Sequence, residues 1–214
     1  MAWRLYTYYR STAAWRVRIA LALKGLRYEA VPVHLRKDEQ LAADYRALSP
    51  QALVPTLTSG EQFLGQSLAI IEYLEETHPE PPLLPADPVA RARVRQLALA
   101  VACDIHPLNN LRVLRHLKHQ IGLSDAALVA WQRHWIVAGL AAIETLLAQS
   151  PATGRFCHGD TPGLADLCLI PQLYNARRAD VDLAPYPVIR RIEAACRENP
   201  AFIAADPARQ PDAE

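Results

Sequence analysis

Between residues 79 and 88 the chain carries Pro79, Pro81, Pro82, Pro85 and Pro88, five prolines in ten positions. Each lacks a backbone N–H and holds φ near about −65°, so neither a helix interior nor a central strand passes through them. The stretch is a stiff, extended connection. Whatever this chain folds into must fold on either side of it. The expected division is a domain over residues 1–80, a linker over 81–88 and a second domain over 89–214.

The two sides differ in period. Residues 3–9 alternate and are aromatic, the mark of a strand. Over 13–26, Val17, Ala20, Leu21 and Lys24 fall at helical spacing, and Gly25 offers a stop. Residues 28–33 read as a second strand, so the opening is strand–helix–strand with a parallel pair. A short helix is expected over 41–48. Two short strands, 54–58 and 62–64, flank Ser59-Gly60, a hairpin signal, and Ser67 caps a helix running to residue 77. Beyond the prolines the 3.6-residue period dominates, with helices expected over 89–117, 124–149, 164–175 and 187–197. The fold class expected is α/β plus all-α, a small mixed domain followed by a larger helical one.

Composition excludes several functions. The chain has 23 basic and 22 acidic residues, and its net charge of +1 suits neither a nucleic-acid binder nor a polybasic membrane-surface protein. A hydrophobic fraction of 51% with 21% charged residues argues against disorder. Cys103, Cys157, Cys168 and Cys196 form no C-x-x-C pair and read as reduced core residues, Cys103 and Cys168 within apolar helical patterns. The opening residues alternate rather than forming the apolar core of a signal peptide, and no apolar run approaches the roughly 20 residues that span a bilayer. The expectation is a cytoplasmic protein with no membrane partner. His116-x-x-His119 has metal-ligand spacing but no third ligand nearby, so no metal is expected.

Four places can carry chemistry. Ser11 stands between a strand and a helix, where a hydroxyl either caps the helix or donates to an anion, and Thr12 is an alternative donor. Gln66-Ser67 opens another helix, with the same two readings, a cap or a carboxylate site. His106, Asn109 and Arg112 are spaced three apart around Pro107 and share one helix face, either solvated or lining a cleft. Arg177 and Arg178 close an apolar helix, either complementing its C-terminus or turning one guanidinium toward a site.

The local motifs sharpen these readings. They are Tyr9-Arg10-Ser11-Thr12-Ala13-Ala14-Trp15-Arg16-Val17-Arg18-Ile19-Ala20-Leu21, Ala47-Leu48-Ser49-Pro50, Val54-Pro55-Thr56-Leu57 and Gln66-Ser67-Leu68-Ala69-Ile70-Ile71-Glu72-Tyr73-Leu74. The helical part adds Ala165-Asp166-Leu167-Cys168-Leu169-Ile170-Pro171-Gln172 and Val181-Asp182-Leu183-Ala184-Pro185-Tyr186-Pro187. In one register over nearly the whole chain, they resemble the zeta class of cytosolic glutathione transferases, whose members include maleylacetoacetate and maleylpyruvate isomerases.

The resemblance implies an N-terminal thioredoxin-like domain, a C-terminal all-helical glutathione-transferase domain, glutathione as cofactor and a homodimer. It implies that Ser11 or Thr12 stabilises the glutathione thiolate and that Pro55 is cis, turning the Val54 backbone toward the cysteinyl group. Gln66 and Ser67 would meet the γ-glutamyl end, Gln40 the glycyl end, and His106, Asn109 and Asn110 further parts of the tripeptide. Arg10, Arg112 and Arg178 would grip a dicarboxylate substrate. The usual Ser-Ser-Cys is Ser11-Thr12-Ala13 here, and with Asn109-Asn110-x-Arg112 this favours maleylpyruvate over maleylacetoacetate. A general zeta-class transferase and a non-catalytic module of the same fold are the alternatives. A helix-capping Ser or Thr usual in the family three residues before Asp166 is Gly163.

Overall fold

The computed structural model describes residues 3–60 and 62–214. Alternation in β1 (Trp3–Thr7) turns Leu5 and Thr7 inward. β1 pairs in parallel with β2 (Tyr28–Pro32) and antiparallel with β3 (Thr56–Ser59), which pairs antiparallel with β4 (Gln62–Gly65). The sheet order is β2-β1-β3-β4. Gly60, at φ 61, supplies the left-handed residue that the β3–β4 turn requires.

Helix α1 (Thr12–Leu23) joins β1 to β2 and is buried on almost every side, from Ala14 through Leu21. A helix buried all round has no polar face to spare, yet this one carries Arg16 and Arg18 inward. A buried guanidinium is costly unless its donors are satisfied. Arg18 meets that demand with bonds to Thr7 Oγ1, the carbonyls of Tyr8 and Tyr9, and the carbonyl of Ala205. α2 (Ala43–Leu48) is short, and α3 (Ser67–Thr77) packs on α1. Lys24, at the end of α1, bonds Glu75 and the carbonyls of His78 and Pro81, tying α1 to the start of the proline stretch.

Beyond the prolines, Asp87 caps α4 (Pro88–Leu99) by accepting from Ala90 N at 2.8 Å. The single helix expected over 89–117 is divided. α4 ends at Leu99, widens into a π turn over Ala100–Ile105 and tightens into a 3₁₀ turn over Pro107–Asn109. The chain then restarts as α5 (Leu111–His119), with Pro107, which has no N–H to continue the ladder, inside the break. α6 (Asp125–Ala148), α7 (Leu164–Arg178) and α8 (Pro187–Arg197) complete this part, with α7 buried along most of its length. Glu144 of α6 accepts from the N–H groups of Val188 and Ile189, capping α8 from a neighbouring helix.

Gly139 explains how α6 meets the π turn. A Cβ there would lie 2.3 Å from Ile105 Cγ1 and Cδ1, so only glycine lets the fully buried Ile105 sit against the helix. α6 also corrects the expectation that no apolar stretch reaches span length: it has 24 residues, and an 18-residue stretch of it has a mean hydropathy of 1.2, long and apolar enough to cross a membrane by length and composition. Ile136, Leu140, Ile143 and Leu147 face the core, while Val129 and Val137 are exposed, so it is apolar on more than one side.

The expected helical domain over 89–214 is corrected at its far end. The chain forms two compact units, Met1–Leu83 with Arg197–Glu214, and Leu84–Cys196. α9 (Pro200–Ala205) belongs to the first unit because it packs on α1 and its last carbonyl serves Arg18. Among the cysteines, Cys157, Cys168 and Cys196 are buried; Cys103 is exposed in the π turn, contrary to the core position expected of it.

Candidate active site

Strand register collects the candidate residues of the first unit at one end of the sheet. Thr7 lies opposite Pro32, Tyr6 opposite Thr56, and Thr56 opposite Gly65. The loops 8–11 and 33–41, the Val54-Pro55 step and the Gln66-Ser67 step therefore all leave the sheet at that end. A cluster of Tyr8, Tyr9, Val33, Tyr45 and Val54 underlies it.

Ser11 is the N-cap of α1, and its Oγ accepts from Ala14 N at 3.2 Å. This uses one lone pair and leaves the hydroxyl hydrogen to donate, so the capping and thiol-binding readings of the sequence are compatible. Ser11 is half-buried, whereas Thr12 is 3% exposed, so Ser11 is the more accessible of the two hydroxyls. Arg10 is half-buried, its guanidinium carbon 6.0 Å from the centre of the Tyr9 ring.

The Val54-Pro55 peptide is cis. Tyr45 holds this segment from below, its hydroxyl donating to Leu53 O at 2.6 Å and lying 3.1 Å from Thr56 Oγ1, and Ser49 Oγ donates to the same carbonyl. Gln66, not Ser67, stands at the cap position of α3 and makes no side-chain cap bond. It adopts φ 65, a left-handed conformation rare for a residue with a side chain and concentrated at functional sites. Ser67 is the first helical residue; its Oγ accepts from Arg16 Nη1 at 3.2 Å. Gln40 is buried, with Nε2 donating to Asp38 Oδ1 and Oε1 without a hydrogen-bond partner among the described residues.

In the second unit the shared face expected of His106, Asn109 and Arg112 does not form. His106 ends the π turn, Asn109 sits in the 3₁₀ turn, and extended Asn110 separates both from Arg112 in α5. Asn109 Nδ2 donates back to Ile105 O, and Asn110 Oδ1 accepts from Arg112 N at 3.1 Å, making it the cap of the helix that carries Arg112. Arg112 is exposed. The two arginines closing α7 part company. Arg177 makes a forked pair with Glu193 of α8 at 2.6 and 2.5 Å, while Arg178 is exposed, its guanidinium carbon 5.7 Å from the centre of the Tyr174 ring.

Residues 5–82 match the N-terminal domain of glutathione S-transferases, and residues 120–203 match the C-terminal domain. The chain is 54% identical to the maleylpyruvate isomerase of a Ralstonia species, over 98% of this chain and 99% of that one. It belongs to the zeta class of the glutathione S-transferase family. Among solved structures, a holo maleylpyruvate isomerase of the zeta class superposes with a TM-score of 0.97 at 54% identity, covering 99% of this chain and 100% of that one. A maleylacetoacetate isomerase from Methylobacterium extorquens, solved with malonate and glutathione, gives 0.96 at 44% identity over 99% of both chains.

The capping site before α7 takes an unusual form for this glutathione S-transferase. Gly163 has no side chain to give, so Asp166, 1% exposed, reaches back: Oδ2 accepts from Gly163 N and Oδ1 from Cys157 N, both at 2.9 Å. Burial raises the Asp166 pKa against those two hydrogen bonds, and burial likewise raises the Cys157 and Cys196 thiols, which keeps both neutral. Sequence reasoning passed over Tyr45, Arg16 and Arg18 as site-building residues. Their types resemble ordinary core and surface positions; only the inward arginines on an otherwise apolar helix signal something else.

Proposed function

We propose that the chain is a glutathione-dependent cis–trans isomerase of a maleyl keto-diacid, with maleylpyruvate the favoured substrate. The observation that carries the reading is Ser11, whose oxygen caps α1 while its hydrogen remains to donate. The residues present suit the tripeptide. The first-turn N–H groups of α1 and α3 favour anions, Gln66 is held in a rare conformation beside Ser67, and buried Gln40 carries an acceptor without a partner among the described residues.

When bound, glutathione supplies a thiolate that adds to the cis double bond, permits rotation about the resulting single bond and leaves with trans geometry restored. Ser11 donates to the sulfur and favours its ionised form, with Thr12 as the neighbouring hydroxyl. The Val54 backbone, beside cis Pro55, meets the cysteinyl group, and Gln66 and Ser67 orient the γ-glutamyl carboxylate. Gln40 takes the glycyl end, and His106 and Asn109 offer further polar groups. Asn110 acts through the helix it caps, which presents Arg112. Arg10, Arg112 and Arg178 hold the two substrate carboxylates and the charge that develops between them, since forked guanidinium groups bind carboxylates in pairs of hydrogen bonds.

The deciding assay is turnover of maleylpyruvate against maleylacetoacetate, with and without glutathione. Faster maleylpyruvate turnover, dependent on glutathione, is the expected result. The second reading, a maleylacetoacetate isomerase, draws on the glutathione-bound Methylobacterium relative of that name. Retention on immobilised glutathione without turnover of either diacid would leave a general transferase, and no retention a non-catalytic module. The reading includes a cytoplasmic homodimer. Val129 and Val137 of α6, with Ala126, Ala130 and Ala138, border an open cavity of about 800 Å³ whose apolar wall a second copy would cover. Sedimentation at the mass of a monomer would remove that element.

A further inference from the structure

Tyr9, two residues before Ser11, donates its backbone N–H to Asp212 Oδ2 at 2.8 Å, a bond between positions 203 apart in sequence. The carbonyls on either side of that residue's N–H are held as well. Arg18 Nη1 donates to Tyr8 O at 3.3 Å and Nη2 to Tyr9 O at 3.0 Å. The same guanidinium, in a residue 1% exposed, reaches Thr7 Oγ1 at 3.0 Å and Ala205 O at 3.2 Å. Burial brings its pKa down to about 10, opposed by Tyr28, Asp212 and Asp206, which favour the charged form. The turn closes with Ser11 N donating to Tyr8 O at 2.9 Å. The polar backbone leading into Ser11 is thus bonded by one buried arginine and one carboxylate from the 197–214 segment.

That segment is built to deliver the carboxylate. Asp206 Oδ1 caps the 3₁₀ turn Pro207–Arg209 through Ala208 N at 2.9 Å. Buried Gln210 turns its amide back onto the carbonyls of Ala204 and Asp206 at 3.1 and 2.9 Å. Past Asp212, Glu214 accepts from His34 Nε2 at 3.0 Å; His34 Nδ1 accepts from Lys37 N, which assigns the ring proton to Nε2. Asp212 is held from both sides.

We propose that Asp212 is a positioning residue for the thiol-binding loop: by holding the Tyr9 amide it sets where Arg10 and Ser11 stand, and the 197–214 segment is the brace through which it acts. The inference rests on Ser11 being the donor to the glutathione sulfur. A hydrogen bond to a thiolate depends steeply on donor placement, and a displacement of about 1 Å removes much of the benefit of a prearranged site. A tie that only fastened the segment to the sheet would contribute to melting temperature and nothing else.

The test titrates the thiolate absorbance of the enzyme–glutathione complex in Asp212→Ala, Asp212→Asn, Glu214→Gln and Ser11→Ala. Asp212→Ala is expected to raise the thiol pKa and lower kcat/KM near neutral pH roughly tenfold, equivalent to about 1.4 kcal/mol, with the loss recovered at alkaline pH. Asp212→Asn keeps an oxygen for the Tyr9 amide and is expected to retain most of the activity. Glu214→Gln is expected to titrate like the parent protein. Hydrogen exchange at the Tyr9 amide is the second readout, fast in Asp212→Ala and protected in Asp212→Asn. If Asp212→Ala lowers only the melting temperature while the thiol curve stays in place, the proposal is overturned, and continued protection of the Tyr9 amide would overturn it too. A curve moved by Ser11→Ala but not by Asp212→Ala removes the brace alone. A curve moved by neither removes the Ser11 reading, and the brace with it. A curve moved by Asp212→Ala alone overturns the inference as stated, because the group that Asp212 then positions is not Ser11.

Discussion

Ser11 accepts from Ala14 N and keeps a hydrogen, which on the proposed reading it donates to the glutathione sulfur. Ser11→Ala removes both. Losing a donor to a thiolate costs about 1.5–3 kcal/mol, so the bound thiol pKa is expected to rise by roughly one to two units, and losing the cap subtracts about 1 kcal/mol of stability. Titration of thiolate absorbance checks the first effect and thermal melting the second. Thr12→Ala, at a position only 3% exposed, is expected to leave the thiol curve in place; a shift there instead would exchange the two roles. The adjacent arginines at the end of α7 separate in the same way. Arg178→Ala is expected to lower kcat/KM roughly thirtyfold or more while melting and glutathione affinity stay near the parent values, and Arg178→Lys to restore only part, since a point charge cannot reproduce the fork. Arg177→Ala leaves buried Glu193 without its forked partner. Because Arg177 itself is 43% exposed the cost is discounted to about 1–2 kcal/mol, a fall of several degrees in Tm with kcat/KM retained. A larger activity loss in Arg177→Ala would place the wrong arginine at the substrate.

Elements were foreseeable where period and punctuation agreed. α1, the hairpin around Gly60 and α6 follow from residue pattern closed by a cap or a glycine, and α8 from its apolar spacing after Pro187. The break within 89–119 was signalled by Pro107 but its form was not. A π turn widens the ladder over six residues before the proline, and that choice depends on Ile105 finding room beside Gly139, a tertiary fact that no local pattern encodes. Gly139→Ala tests the packing. The added methyl would stand 2.3 Å from the Ile105 side chain, and overpacking of this kind costs about 1–3 kcal/mol despite alanine's better helix propensity. Differential scanning calorimetry is expected to show the loss, and Gly139→Ala combined with Ile105→Val to recover part of it. If the single variant melts above the parent protein, the close approach does not govern this junction. At the start of α7, where Gly163 stands in place of a capping side chain, the carboxylate three residues inside the helix accepts from its amide. Asp166→Ala strands the Gly163 and Cys157 amides together and is expected to cost about 3 kcal/mol, read as a fall in urea midpoint.

At the scale of the whole molecule the isomerase reading asks for an external thiol. Cys157, Cys168 and Cys196 are buried and the first and last are held neutral, so the one protein thiol open to solvent among the described residues is Cys103. Activity is expected to vanish in glutathione-free, thiol-free buffer and to survive Cys103→Ala in full when glutathione is returned; metal chelation is expected to change nothing. Turnover without any added thiol would sink the mechanism. The candidate site residues of the first unit, Ser11, Pro55 and Ser67, were picked out through the family motifs in which they stand. Arg18 and Asp212 were not, since the value of each comes from a partner far away in sequence. That distance has a consequence for the order in which the protein is made. A ribosome emits the sheet, α1 and α3 first, then every helix of the second unit, and only afterwards the residues that supply Ala205 O and Asp212. Until then Arg18 lacks one of its acceptors and the Tyr9 amide its own. The unit whose translation begins first is therefore completed only after the second has been made, once residues 205 and 212 supply those acceptors.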